Sequence, residues 1–101
     1  MKYFVCKLTG PRKTFPQDMT PQEAGIMQAH VAYCGELLRA GRALVFGPVA
    51  DPAGVWGLGV LQLPDDLDPQ EIIANDPAVK ANAGFVYEVM PMLRAATRET
   101  C

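Results

Sequence analysis

Two helix starts written in the same code, Thr20-Pro21-Gln22-Glu23 and Asp68-Pro69-Gln70-Glu71, constrain this chain more than any other feature. In each, a short polar side chain accepts from an amide of the first turn, and proline fills the first helical position, where its missing N–H is not needed. A glutamate two residues further on is placed to reach back. The segments around these starts read as strands. Residues 1–8, MKYFVCKL, are rich in aromatic and branched side chains. Residues 42–50, RALVFGPVA, and 55–63, VWGLGVLQL, flank Asp51-Pro52-Ala53-Gly54, a turn signal that predicts a hairpin. Pro48 lacks an amide for a central ladder, so its strand ends there or lies at a sheet edge. Residues 85–93, FVYEVMPML, supply a last strand.

The first helix is expected to run from Thr20 to about Ala40. Ile26, His30, Tyr33 and Leu37 form one row and Met27, Val31, Cys34 and Leu38 the row beside it, together one apolar stripe, with Gly41 closing the helix. The second helix is short, because Pro77 disfavours helical geometry at Asp76, which is itself well placed to cap the turn that follows. The resulting order, β-α-β-β-α-β, predicts an α+β, ferredoxin-like fold: an antiparallel sheet with two helices on one face. The 101 residues, half of them hydrophobic, suit one domain over 1–101, with a core of 1–93 and a tail of 94–101.

The other face of that sheet needs a cover. Val86, Met90 and Met92 oppose Phe85, Tyr87 and Val89 on the last strand, and Val5 opposes Phe4 and Cys6 on the first, so both faces are apolar. Two helices cover only one of them. A homodimer formed sheet to sheet through the helix-free face is therefore expected.

Charge and cysteine content exclude several classes. A net charge of -2 with no basic stripe argues against a nucleic-acid partner. No apolar run nears the roughly 18 residues of a membrane span, and the apolar start at residues 3–5 is too short for a signal-peptide core. A soluble, cytoplasmic protein is expected. Cys6, Cys34 and Cys101 are an odd number without close spacing, which fits reduced thiols better than a disulfide framework or a zinc site. Cys6 and Cys34 read as small buried hydrophobes and Cys101 as an exposed terminal thiol. With one histidine and no phosphate loop, neither a structural metal nor a nucleotide cofactor is expected, and GVWGLG lacks the spacing of a dinucleotide fingerprint.

His30, the only histidine, is the single side chain here that gains or loses a proton near neutral pH unaided. Two readings stand: a ring packed in the helix stripe, or a general acid-base group. Asp76 also has two, as a cap or as the partner of that ring. His30 lies ten residues past Thr20, roughly 15 Å along its helix, and Asp76 eight past Asp68, roughly 12 Å, so parallel helices would set them level. Gly57 and Gly59, on one side of their strand, mark either close packing or room for a ligand. The loop 11–19, with Arg12 and Lys13, is either a lid recruiting an anion or a solvated connection.

An N-terminal strand, His30 followed by Gly41 and by Gly47-Pro48, then Asp76-Pro77 before a final strand: in this order and spacing the chain resembles the YciI-like (YCII-related) domain family, from residue 1 to about 93. The resemblance implies a ferredoxin-like fold dimerising as an α/β barrel, and an active site on a histidine and an aspartate that correspond to His30 and Asp76. It also implies a fold relation to muconolactone isomerase and, for some members, a likeness to dehydrochlorinases of chlorinated hydroquinones. The aromatic residue that often follows Asp-Pro in the family is Ala78 here. Two functions follow: a cofactor-free lyase or isomerase acting on a small aromatic or enolic molecule through a His30-Asp76 dyad, or a non-catalytic dimeric domain that binds a small molecule.

Overall fold

A computed structural model describes residues 1–98; Cys101 and its expected exposure lie outside the described residues. In chain order the elements are β1 (Lys2–Thr9), α1 (Pro21–Arg39), β2 (Ala43–Val49), β3 (Trp56–Leu63), α2 (Pro69–Ala74), α3 (Pro77–Lys80) and β4 (Val86–Pro91). The first capping signal acts in full, as a capping box, and the second through its aspartate alone. The Thr20 hydroxyl accepts from the Glu23 amide at 3.1 Å while the Glu23 carboxylate accepts from the Thr20 amide at 2.9 Å. The Asp68 carboxylate accepts from the Gln70 amide at 2.9 Å. α1 ends where Gly41 turns to φ 74°, a left-handed conformation that costs glycine nothing.

The four strands form one antiparallel sheet in the order β2-β3-β1-β4, and β2, with Pro48, is an edge. Residues paired across antiparallel strands share a face, so the register sorts every side chain. Cys6, paired with Gly59 and Val89, and Leu8, paired with Gly57 and Tyr87, look toward the helices. There Cys6, Leu61 and Leu63 pack with Ile72 and Ile73 of α2, and with Tyr33 and Leu37 of α1. A second cluster joins Leu8 to Phe15, Ala78 and Phe85. On the opposite face one row, Val45, Val60, Val5 and Met90, crosses all four strands. Val45 is 49% exposed, Met90 48% and Val86 59%, which matches the expected uncovered apolar surface.

The α1 stripe is narrower than its sequence pattern. Ile26, Met27, His30, Tyr33, Cys34 and Leu37 turn inward, but Val31 and Leu38 are exposed at 53% and 39%. These two stand seven residues apart on one flank of the stripe, where Val31 borders a cavity beside the sheet. Among the described residues no helix is long and apolar enough to cross a membrane.

Candidate functional site

His30 and Asp76 are in direct contact, but not because parallel helices set them level: β1 and β3 pair antiparallel, so the helical connections that follow them run in opposite directions. His30 Nδ1 lies 2.8 Å and 3.0 Å from the two carboxylate oxygens of Asp76. Asp76 is 1% exposed and among the most deeply buried side chains described. It is not a continuation of α2, which stops at Ala74; it is the N-cap of the single-turn helix α3, where Oδ1 accepts from the Ala78 amide at 2.8 Å. Its Oδ2 accepts from the Tyr87 hydroxyl of β4 at 2.6 Å. Capping and contact with the histidine thus belong to one carboxylate, and the sequence-level alternatives for Asp76 are both true.

Electrostatics follow from this packing. Burial alone would raise the Asp76 pKa, but hydrogen bonds from His30, Tyr87 and the Ala78 amide outweigh it and hold the group below the ordinary carboxylate value. An ionised carboxylate only accepts, so Nδ1 of His30 carries the hydrogen and donates it. For the ring, burial pulls the pKa down, yet the hydrogen bond to Asp76 and the neighbouring Cys34 prevail and raise it to about 9. At neutral pH the pair is therefore an imidazolium held by a carboxylate.

Cys34 stands one helical turn beyond His30, with Sγ 3.8 Å from Nδ1 and 3.7 Å from Nε2. His30, Cys34 and Asp76 thus bring three ligand-type atoms within 4.8 Å of one another, which the expectation of scattered cysteines with nothing to assemble did not foresee. Helix spacing explains the encounter, since i and i+4 face the same way. Within this set Nδ1 is hydrogen-bonded to Asp76, whose two oxygens also accept from the Ala78 amide and the Tyr87 hydroxyl.

A cavity of about 300 Å³ adjoins the ring, between α1, the sheet and the loop before α1. His30 lines it and Asp76 does not, so the imidazole stands between the carboxylate and the open space. Gly57 and Gly59 line it as well, so the reading of these glycines as room for a ligand has a cavity beside it. Most of loop 11–19 is exposed, as a solvated connection would be, but the loop is also anchored. Arg12 is bound to Asp18 and, by two bonds of 2.8 Å, to the Glu23 carboxylate, which leaves it committed to structure rather than to an anion. The loop also sends Phe15 inward, edge-on to Phe85 with ring centres 5.3 Å apart, and Phe15, Pro16 and Met19 become cavity wall.

Sequence reasoning did not mark Tyr87, Cys34 or Phe15 as parts of the site. For Tyr87 a signal existed: a phenol in the inward row of a strand must find a buried partner. For Phe15 there was none, because its place depends on how an irregular loop folds back.

The sequence profile of the YCII-related domain family matches residues 1–93, and the chain belongs to that family. None of the curated protein sequences compared with it matches at a significant level. Among solved structures, a formyltetrahydrofolate deformylase from Pseudomonas putida KT2440 is similar over 89% of this chain and 28% of its own, at 12% identity and a TM-score of 0.46.

Proposed function

We propose that this protein is a cofactor-free proton-transfer enzyme, a lyase or isomerase for a small molecule, with His30 moving the proton and Asp76 orienting and charging the ring. The supporting observation is the placement of the pair: a carboxylate sealed from solvent holds Nδ1, while the ring borders a cavity large enough for a small ligand. The division of labour is that of other His-carboxylate pairs, in which the acid fixes the tautomer and stabilises the charged ring. Because the resting ring is charged, its first move is donation from Nε2, to a carbon, a carbonyl oxygen or a departing group. The neutral imidazole left behind is then the base that takes a proton from another position of the same molecule. We further propose that the chain has a ferredoxin-like topology and works as a homodimer, its open sheet faces closing on each other as a barrel.

Proton transfer of this kind leaves an isotopic record. In D₂O, wild-type protein should catalyse deuterium incorporation into members of a panel of small phenols and enolisable ketones, read by mass spectrometry. His30→Ala should abolish exchange and Asp76→Asn should slow it by about 10²-fold or more, since general acid-base catalysis contributes on that order. A wild type that exchanges no member of the panel, or a His30→Ala variant that exchanges as fast, would contradict the proposal.

A further inference from the structure

The dyad has a third neighbour that proton transfer does not use. Cys34 lies on α1 one turn beyond His30 and lines the same cavity. Its Sγ is nearly equidistant from the two ring nitrogens, 3.8 Å from Nδ1 and 3.7 Å from Nε2. An atom on the line of the Nε2 hydrogen would be much farther from Nδ1 than from Nε2, so the sulfur stands beside the ring and does not take up that hydrogen. Nδ1 is held by Asp76. Thiol and Nε2–H are thus two separate groups side by side, a nucleophile and an acid, with a carboxylate fixing the ring that carries the second. Cys6, the other described cysteine, lacks this setting. It is 3% exposed on the sheet, it does not line the cavity, and burial pushes its thiol up to about 11. The wall around Cys34 is apolar: Leu8, Phe15, Met27 and Phe85 line it, without a lysine or arginine.

We infer that Cys34 is a nucleophile toward small, neutral, conjugated carbonyl compounds, its sulfur adding to the β-carbon while His30 protonates the oxygen. The β-carbon and the oxygen of such a molecule are three bonds apart, a span comparable with the 3.7 Å between Sγ and Nε2. The step balances without a further reagent. The thiol releases its proton to solvent, and a sulfur electron pair forms the C–S bond. The C=C pair shifts toward the oxygen, which takes the Nε2 proton. That oxygen-protonated adduct moves its hydrogen to the α-carbon, and solvent returns a proton to the ring. One S–H bond and one C=C π bond are lost, one C–S and one C–H bond are formed, and nothing is oxidised overall. The compound is neutral because a charged group on it would be buried in this wall without a partner. The reaction shares the charged ring of the function proposed above but is separate from it, a covalent capture that takes no proton from carbon.

The probe is N-ethylmaleimide, a neutral conjugated carbonyl, mixed with the full-length wild-type protein at neutral pH. Iodoacetamide, from which sulfur only displaces iodide and which draws on no acid, is the comparison reagent, and glutathione the reference thiol. Peptide mass spectrometry separates adducts on Cys6, Cys34 and Cys101 and gives the rate of each. Cys34 is expected to react and Cys6 to stay free. At Cys34 the ratio of the maleimide rate to the iodoacetamide rate should exceed the ratio in glutathione by about ten-fold or more, since an acid in place contributes at least that order. His30→Gln should bring the ratio back to that of glutathione. An adduct forming on Cys6 as fast as on Cys34, a Cys34 that reacts with neither reagent, or a wild-type ratio no greater than glutathione's would overturn the inference, and none of the three depends on a variant that folds. The two proposals part cleanly: Cys34 adducts in a protein that exchanges no deuterium would keep this reaction and remove the proton-transfer enzyme, and exchange with an unreactive Cys34 would do the reverse.

Discussion

Asp76 concentrates more of this protein than any other residue. One carboxylate caps α3, accepts the Tyr87 hydroxyl and holds the His30 ring, so three elements of structure meet on two oxygen atoms. The signs of the two pKa shifts fix how the pair contributes to stability. The His30 pKa is raised from 6.5 to about 9, so its contribution is fully present below 6.5 and is lost as pH climbs through 9. The Asp76 pKa is lowered from 3.8, so its contribution is present above 3.8 and is lost as pH falls below it. Melting wild type and His30→Gln across pH should therefore show the largest difference between about 4 and 6.5, shrinking toward and beyond 9. A difference that stayed flat over that range would mean that the ring is not charged by its neighbour.

At the level of elements, the loop before α1 and the helix start are one device. Glu23 is the last residue of the capping box and also the anchor of Arg12, whose guanidinium draws the carboxyl down to about 2, with the Thr20 amide helping. The loop that supplies Phe15 to the cavity wall is thereby fastened to the first turn of the helix that carries His30. Arg12→Ala should speed hydrogen exchange at the Phe15, Gln17 and Met19 amides while leaving the amides of α1 protected; unchanged loop exchange would show that the loop holds without this pair. Much of this level was readable in advance. Both cap-Pro signals, the turn at residues 51–54, the edge position of Pro48 and the capping role of Asp76 are local rules, and local rules survive folding. What stayed hidden depends on distant partners. Val31 and Leu38 are apolar, yet only the folded sheet decides which flank of α1 it covers. The convergence of Tyr87 on Asp76 follows from the β1–β4 register, and that of Phe15 on Phe85 from an irregular loop. The Cys34 neighbour of His30, by contrast, lay four residues away on the same helix and was legible in the spacing.

The whole molecule is asymmetric: helices, dyad and cavity on one side of the sheet, and on the other a bare row from Val45 through Val60 and Val5 to Met90. A second copy seated on that face should bury on the order of 1,200 Å² or more and persist at micromolar concentration, where light scattering should return twice the mass of the 11.0 kDa chain. Val5→Glu, a charge in the middle of the row, should return a folded monomer, and a wild type that scatters as a monomer would remove the dimer. The account as a whole stands on a charged imidazole held between a sealed carboxylate and an apolar cavity. Its most direct test is an NMR pH titration of the one histidine in the intact wild-type protein, followed through its ring nitrogens. The predicted result is a ring charged at neutral pH that loses its proton near 9, with Nδ1 remaining the hydrogen-bonded donor. A ring that titrates at or below the ordinary 6.5 would contradict it.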